Sequence, residues 1–216
     1  MTNTTVSAPW PHLKRSLVAI LRGVLPAEAP GIIDALVDEG FEAIEIPLNS
    51  PDAFVSIAAA VKRHGERVLI GAGTVLSPGD VDRLAEAGGR LLVAPNVDPD
   101  VLRRAALHAM VTMPGVFTAS EAFLALKCGA SALKFFPAGT LGAPGIAALG
   151  AVLPKGTVVG AVGGVSDQSF AEYAKAGVTA FGLGSSLYKP GNTAQTVRDK
   201  ARRAIAAYDA AFPSGA

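Results

Sequence analysis

The chain has 216 residues, half of them hydrophobic and 17% charged, which suits one domain with a sizeable core and excludes a disordered segment as the whole. With 19 basic and 18 acidic residues the net charge is +1 and no basic block occurs, so neither nucleic acid nor an anionic membrane is expected as a partner. The one cysteine, Cys128, excludes an intramolecular disulfide and fits a cytoplasmic location, and no secretory signal or membrane-spanning run is visible.

In chain order, Met1 to Ser16 reads as a loose N-terminal arm. Apolar strand candidates then begin near Leu17, Glu42, Arg67, Leu91, Met110, Ser131, Thr157 and Thr179, about 20 to 26 residues apart. Runs such as Leu17-Val18-Ala19-Ile20-Leu21 are apolar throughout rather than alternating, the mark of parallel strands covered on both faces. Between them, Ser50-Pro51, Ser77-Pro78 and Asp98-Pro99 each predict a helix N-cap followed by proline. Thr118 with Glu121 predicts a capping box. Gly40, Gly65, Gly88, Gly129 and Gly177 stand where helices should stop. Phe54, Ile57, Ala58 and Val61 are expected to share the apolar face of the second helix. Eight strand–helix units over residues 17–211 predict an α/β fold of the (β/α)8 TIM-barrel type in a single domain, with residues 212–216 as a frayed tail. A doubly wound open sheet is the competing reading. The count of eight and the lack of a glycine-rich dinucleotide turn after the first strand favour the barrel.

Two charges interrupt this apolar pattern. Glu45 lies in Ala43-Ile44-Glu45-Ile46-Pro47 and Lys134 in Ala132-Leu133-Lys134-Phe135-Phe136-Pro137. Burying either charge is costly unless it is paired, solvated in a cleft or neutralised. Both fall near the carboxyl ends of strands, where barrels of this kind gather catalytic groups. A desolvated lysine becomes a neutral amine able to form a Schiff base with a ketone, and a carboxyl beside it can shuttle protons. An ion pair lining the barrel is the plainer reading. The proline after each strand end and the loops that follow the seventh and eighth strands turn the argument toward chemistry.

Gly163-Gly164 follows the seventh strand, with Ser166 expected to cap the next helix, and Gly182-Leu183-Gly184-Ser185-Ser186 follows the eighth. These two loops form the usual phosphate cradle of such barrels, since glycine lets backbone N–H groups approach the oxygens, and such a cradle needs few basic residues. Arg22, ending the first strand, presents a planar fork suited to carboxylate or phosphate. Thr74, ending the third, is placed to hydrogen-bond a substrate carboxylate. Metal catalysis is not expected, because His12, His64 and His108 lie apart from any acidic cluster. Cys128 reads as a packing residue, and Trp10 and Tyr188 have no assignable role.

The stretches Ala19-Ile20-Leu21-Arg22-Gly23, Glu45-Ile46-Pro47-Leu48-Asn49-Ser50-Pro51, Gly71-Ala72-Gly73-Thr74-Val75-Leu76, Leu133-Lys134-Phe135-Phe136-Pro137 and Val162-Gly163-Gly164-Val165 together resemble the class I KDPG/KDPGal aldolases over roughly Leu17 to Gly191. The resemblance implies cleavage of a 2-keto-3-deoxy-6-phospho sugar acid to pyruvate and glyceraldehyde 3-phosphate. It implies Lys134 as Schiff-base lysine, Glu45 as general acid/base, and substrate contacts from Arg22, Thr74, Gly163, Gly164, Gly184 and Ser185. A homotrimer and the absence of metal or other cofactor are implied with it. Leu48-Asn49-Ser50 and Val162 stand where the gluconate enzymes carry Leu-Arg-Thr and threonine, which matches the galactonate branch. Valine at 162 cannot hydrogen-bond a substrate C4 hydroxyl, so a preference between epimers of at most a few kcal/mol is expected there.

Overall fold

The structure, a computed structural model, describes residues 7–213. Strand and helix alternate along the chain: β1 (Leu17–Ile20), α1 (Ala29–Asp38), β2 (Ala43–Pro47), α2 (Ala53–His64), β3 (Leu69–Gly73), α3 (Pro78–Glu86) and β4 (Leu91–Val93). There follow α4 (Pro99–Leu107), β5 (Val111–Met113), β6 (Gly115–Val116), α5 (Ala119–Lys127), β7 (Leu133–Phe135) and α6 (Ala138–Gly150). The chain ends with β8 (Val159–Val162), α7 (Phe170–Lys175), β9 (Ala180–Leu183) and α8 (Ala194–Ala211). Every strand pairing is parallel, in the order β5-β4-β3-β2-β1-β9-β8-β7-β6. β5 and β6 are halves of one stave broken at Pro114, which has no N–H to give a ladder. β5 pairs with β4 and β6 with β7, and the Lys134 N–H donates to the Pro114 carbonyl at 2.9 Å, so the ring closes through this stave. The predicted eight-stave barrel is what forms.

Two apolar layers hold it. Alternate strand residues, among them Val18, Ile20, Ala43, Leu91, Val93, Met113 and Ala180, fill the interior of the barrel. Their neighbours, such as Leu17, Ala19, Ile44, Ile46, Leu133 and Phe135, pack outward under the helices. Strands buried on both faces follow from this arrangement. Glu45 and Lys134 take interior positions, because their sequence neighbours on both sides belong to the outer layer.

Helix punctuation holds in part. Ser77 and Asp98 cap α3 and α4, accepting from backbone N–H groups, and Thr118 with Glu121 completes the capping box of α5. Gly40, Gly88, Gly129 and Gly177 follow helices with positive φ, whereas Gly65 ends α2 at φ −59°. Ser50 does not cap α2. The helix starts at Ala53, and the Ser50 hydroxyl accepts instead from the Gly23 N–H at 2.8 Å, tying the β1 and β2 loops together. The buried face of α2 is Ala53, Ser56, Ile57, Ala60 and His64. Of the expected stripe, Ile57 is fully buried, Phe54 and Val61 are partly buried against the core, and Ala58 is exposed. Ser166 does not cap α7 either. It opens a turn in which Ser169 accepts its N–H at 3.1 Å, and the helix begins at Phe170. Cys128 is the C-cap residue of α5 and is only half-buried.

The described part of the N-terminal arm is held rather than loose. The Ala8 N–H donates to the Met110 carbonyl at 3.0 Å and Ala8 bridges Val111. Trp10 and Leu13 pack on the interior layer, closing the amino-terminal end of the barrel. Residues 1–6 and 214–216 lie outside the described residues. At the tail, Phe212 is not frayed but stacks on Tyr208, with ring centroids 4.5 Å apart, and lies 6.3 Å from Phe181.

Candidate active site

At the carboxyl end of the strands the interior opens into a cavity of about 570 Å³. Its wall includes Glu45 from β2, Lys134 from β7, Val162 from β8 and Gly182 from β9, with loop residues above them. The two charges singled out in the sequence therefore meet in one cavity. Glu45 is 2% exposed and Lys134 6%. Among the described residues neither forms a salt bridge, and Glu45 Oε2 is buried with no hydrogen-bond partner. Lys134 Nζ lies 4.7 Å over the centroid of the Phe136 ring, an apolar wall. A Cβ on Gly73 would overlap the Glu45 carboxylate, so the glycine that ends β3 makes room for it.

Burial sets the protonation of the pair. Desolvation pushes the Glu45 carboxyl up to about 7, against the weaker opposing pulls of Lys134 and Arg22. Desolvation lowers the Lys134 ammonium. Glu45 opposes this and Arg22 adds to it. Burial thus raises the neutral share of the Lys134 amine beside a carboxyl able to exist in either form near neutrality, the combination that nucleophilic addition to a ketone with proton transfer requires.

Arg22 stands on the rim. Its guanidinium donates to Asn49 Oδ1 and, at 3.4 Å, to Thr74 Oγ1. Thr74 does not line the cavity but acts through Arg22, and it holds a φ of +56°, which a β-branched residue rarely adopts. Gly163, Gly164, Gly184 and Ser185 line the same cavity. Gly163 and Gly164 have φ of +85° and +79°, and a Cβ on Gly163 would sit 3.1 Å from the Phe136 ring. Val162 is buried in the wall and offers no polar atom.

Several residues of the site have no contact assigned to them from the sequence, Asn49 standing out there only within Leu48-Asn49-Ser50. Asn49 orients Arg22, Gly73 admits Glu45, and Phe136 backs Lys134. Tyr188, 3% exposed, and Lys189 complete the wall on the β9 side. Only the turn residues Pro190 and Gly191 beyond them mark that loop as built to a shape. Two of the three histidines are engaged elsewhere: His64 with Asp34 at 2.7 Å and His108 with Asp82 at 2.9 Å. Among the described residues, no three His, Cys, Asp or Glu side chains gather. A second cavity of about 400 Å³ is lined by α1 and α2 alone, outside the barrel and away from Glu45 and Lys134.

The chain is similar to known proteins over most of its length. Residues 13–202 match the family model described as Aldolase: KDPG and KHG aldolase. The chain is 58% identical over 204 residues, 94% of its length and 96% of the relative's, to the "Probable 2-dehydro-3-deoxy-6-phosphogalactonate aldolase" of Rhizobium meliloti (strain 1021). It is 48% identical over 195 residues, 90% of its length and 95% of the relative's, to the "2-dehydro-3-deoxy-6-phosphogalactonate aldolase" of Escherichia coli (strain K12). The solved structure titled "Native KDPGal structure" superposes with a TM-score of 0.92 at 47% identity, covering 94% of this chain and 98% of that one. With its eight-stave barrel and a lysine and glutamate buried at the carboxyl end, the chain belongs to the KDPG and KHG aldolase family.

Proposed function

We propose that the protein is a class I aldolase that reversibly cleaves 2-dehydro-3-deoxy-6-phosphogalactonate to pyruvate and D-glyceraldehyde 3-phosphate. The observation that carries this reading is the sharing of one cavity by a buried, deprotonation-prone Lys134 and a buried Glu45 of raised pKa, under a glycine-lined cradle. The names of the relatives choose the substrate.

In this mechanism the Lys134 amine adds to the C2 ketone, and loss of water gives a protonated Schiff base. Glu45 as carboxylate removes the proton of the C4 hydroxyl while the C3–C4 bond breaks. The bonding electrons flow into the iminium as an enamine, and glyceraldehyde 3-phosphate leaves. Glu45, now protonated, returns its proton to C3, and water releases pyruvate. A carboxyl poised near 7 suits both directions of that transfer. Arg22, held by Asn49 and Thr74, faces the substrate carboxylate. The homotrimer implied by the sequence resemblance and a cytoplasmic location belong to the same proposal. Exposed Phe117, Phe123 and Leu124 around α5 offer an assembly an apolar surface to bury.

Borohydride reduction in the presence of pyruvate tests the chemistry. Mass spectrometry should find the adduct on Lys134. Lys134→Ala should abolish trapping and lower turnover by about 10⁴-fold or more. An untrapped parent protein, or a trapped Lys134→Ala, would refute the Schiff base. Cleavage rates on the galactonate and gluconate epimers, side by side, decide the substrate. Faster cleavage of the gluconate epimer would move the protein to the second reading, a KDPG aldolase. Val162, with no hydroxyl for the C4 group, favours the first.

A further inference from the structure

Three cations line the barrel cavity: Arg22, Lys134 and Lys189. Arg22 is engaged with Asn49 and Thr74, and Lys134 sits in an apolar floor that disfavours its charge. Lys189 is exposed and forms no salt bridge among the described residues. It belongs to the loop after β9, the same loop that brings Gly184 and Ser185 to the cavity. We propose that Lys189 is a substrate-binding residue whose ammonium meets the phosphate group held by Gly163, Gly164, Gly184 and Ser185. This deepens the function proposed above and rests on it.

The turn that carries Lys189 is pinned on both sides while its side chain is left free. Tyr188 before it is buried in the wall. Asn192 Oδ1 accepts from the Lys189 N–H at 3.1 Å and from Lys200 Nζ at 2.9 Å. The Asn192 N–H returns to the Lys189 carbonyl at 3.0 Å. Pro190 lies against Gly23, where φ is +80° and a Cβ would come within 2.9 Å of the proline ring. A side chain on Gly23 would push this turn away from the cavity.

The charge balance asks for such a group. Backbone N–H donors give a phosphate direction but only partial charge, and a flexible ammonium supplies a full one. The same edge is already electropositive. Burial lowers the Lys200 ammonium first, and the charges of Lys189 and Arg203 lower it further. An anion at the rim would relieve that repulsion.

The test measures inorganic phosphate binding by calorimetry, together with KM and kcat on the phosphorylated keto acid, in the parent, Lys189→Met and Lys189→Arg. Lys189→Met should weaken phosphate about tenfold and raise KM by a similar factor, with a smaller effect on kcat, as expected for one solvent-facing charge. Lys189→Arg should restore most of both. Pyruvate trapping at Lys134 involves no phosphate and should persist in Lys189→Met. Unchanged phosphate affinity and KM in Lys189→Met would overturn the assignment. A parent that binds phosphate through Lys189 yet cleaves no keto sugar acid would uphold this site and refute the aldolase reading, so the two failures are distinguishable.

Discussion

The two ends of the barrel treat buried polar groups in opposite ways. At the amino-terminal end, Thr112 is completely buried, but its hydroxyl donates to Ser7 Oγ at 3.0 Å and accepts the Ser131 N–H at 3.2 Å. Ser131 Oγ in turn donates to the Ala8 carbonyl, so the plug formed by the arm is satisfied. At the carboxyl-terminal end, among the described residues, Glu45 Oε2 has no partner and Lys134 no salt bridge, and Thr74 is held at positive φ. Satisfied polar groups stabilise; unsatisfied ones cost stability and remain available to a substrate. The contrast separates a scaffold end from a reacting end within one barrel.

Substitutions at each end should give opposite signatures. At the reacting end, Glu45→Gln should lower turnover by about 10²- to 10³-fold while pyruvate trapping at Lys134 partly survives. Normal turnover in this variant would remove Glu45 from the mechanism. The same variant has a stability signature with a defined sign. The folded state holds the Glu45 proton up to about 7, above its ordinary value of 4.5, so ionisation penalises the fold. The parent should therefore lose stability relative to Glu45→Gln as pH rises from 4.5 through 7, by on the order of 3 kcal/mol. Denaturation midpoints of both proteins across that interval check this, and parallel curves would contradict it.

Gly73→Ala leaves both reacting groups in place but crowds the Glu45 carboxylate. We expect a loss of about 10- to 100-fold in kcat, because small misplacements of a proton-transfer group are costly. Unimpaired kcat would show that Glu45 has room to spare. At the scaffold end the effect should be smaller and of another kind. Thr112→Val strands the Ser131 N–H and should cost about 1–3 kcal/mol of stability, read from urea unfolding, with turnover per folded molecule unchanged. A loss of turnover there would break the distinction between the ends.

How much of this was readable along the chain depends on how local each signal is. Glu45 and Lys134 were legible because a lone charge inside an apolar strand is conspicuous without any knowledge of its neighbours. The capping box at Thr118 and Glu121 was legible because its two hydrogen bonds span three residues. Ser50 was misread because its partner, the Gly23 N–H, lies 27 residues away on another loop. In the second helix Phe54, Ile57 and Val61 follow the helical period onto the core, whereas Ala58 is exposed and Ala53 and Ala60 are buried instead, because alanine is uninformative about direction until the sheet beneath selects it. Along the chain nothing distinguishes Lys189 from the other lysines. Only the return of its loop over the cavity brings it to the site.

By itself, then, the sequence determined the alternation of strand and helix, the count of eight staves and the presence of two misplaced charges, since each follows from periodicity and hydropathy within a short window. Tertiary structure decided that the fifth stave breaks at Pro114, that the arm plugs one end, and that Arg22, Asn49 and Thr74 act together. Those outcomes depend on closure of the ring, which places residues from distant strands side by side. The enclosure that raises the Glu45 pKa and lowers that of Lys134 comes from the same closure.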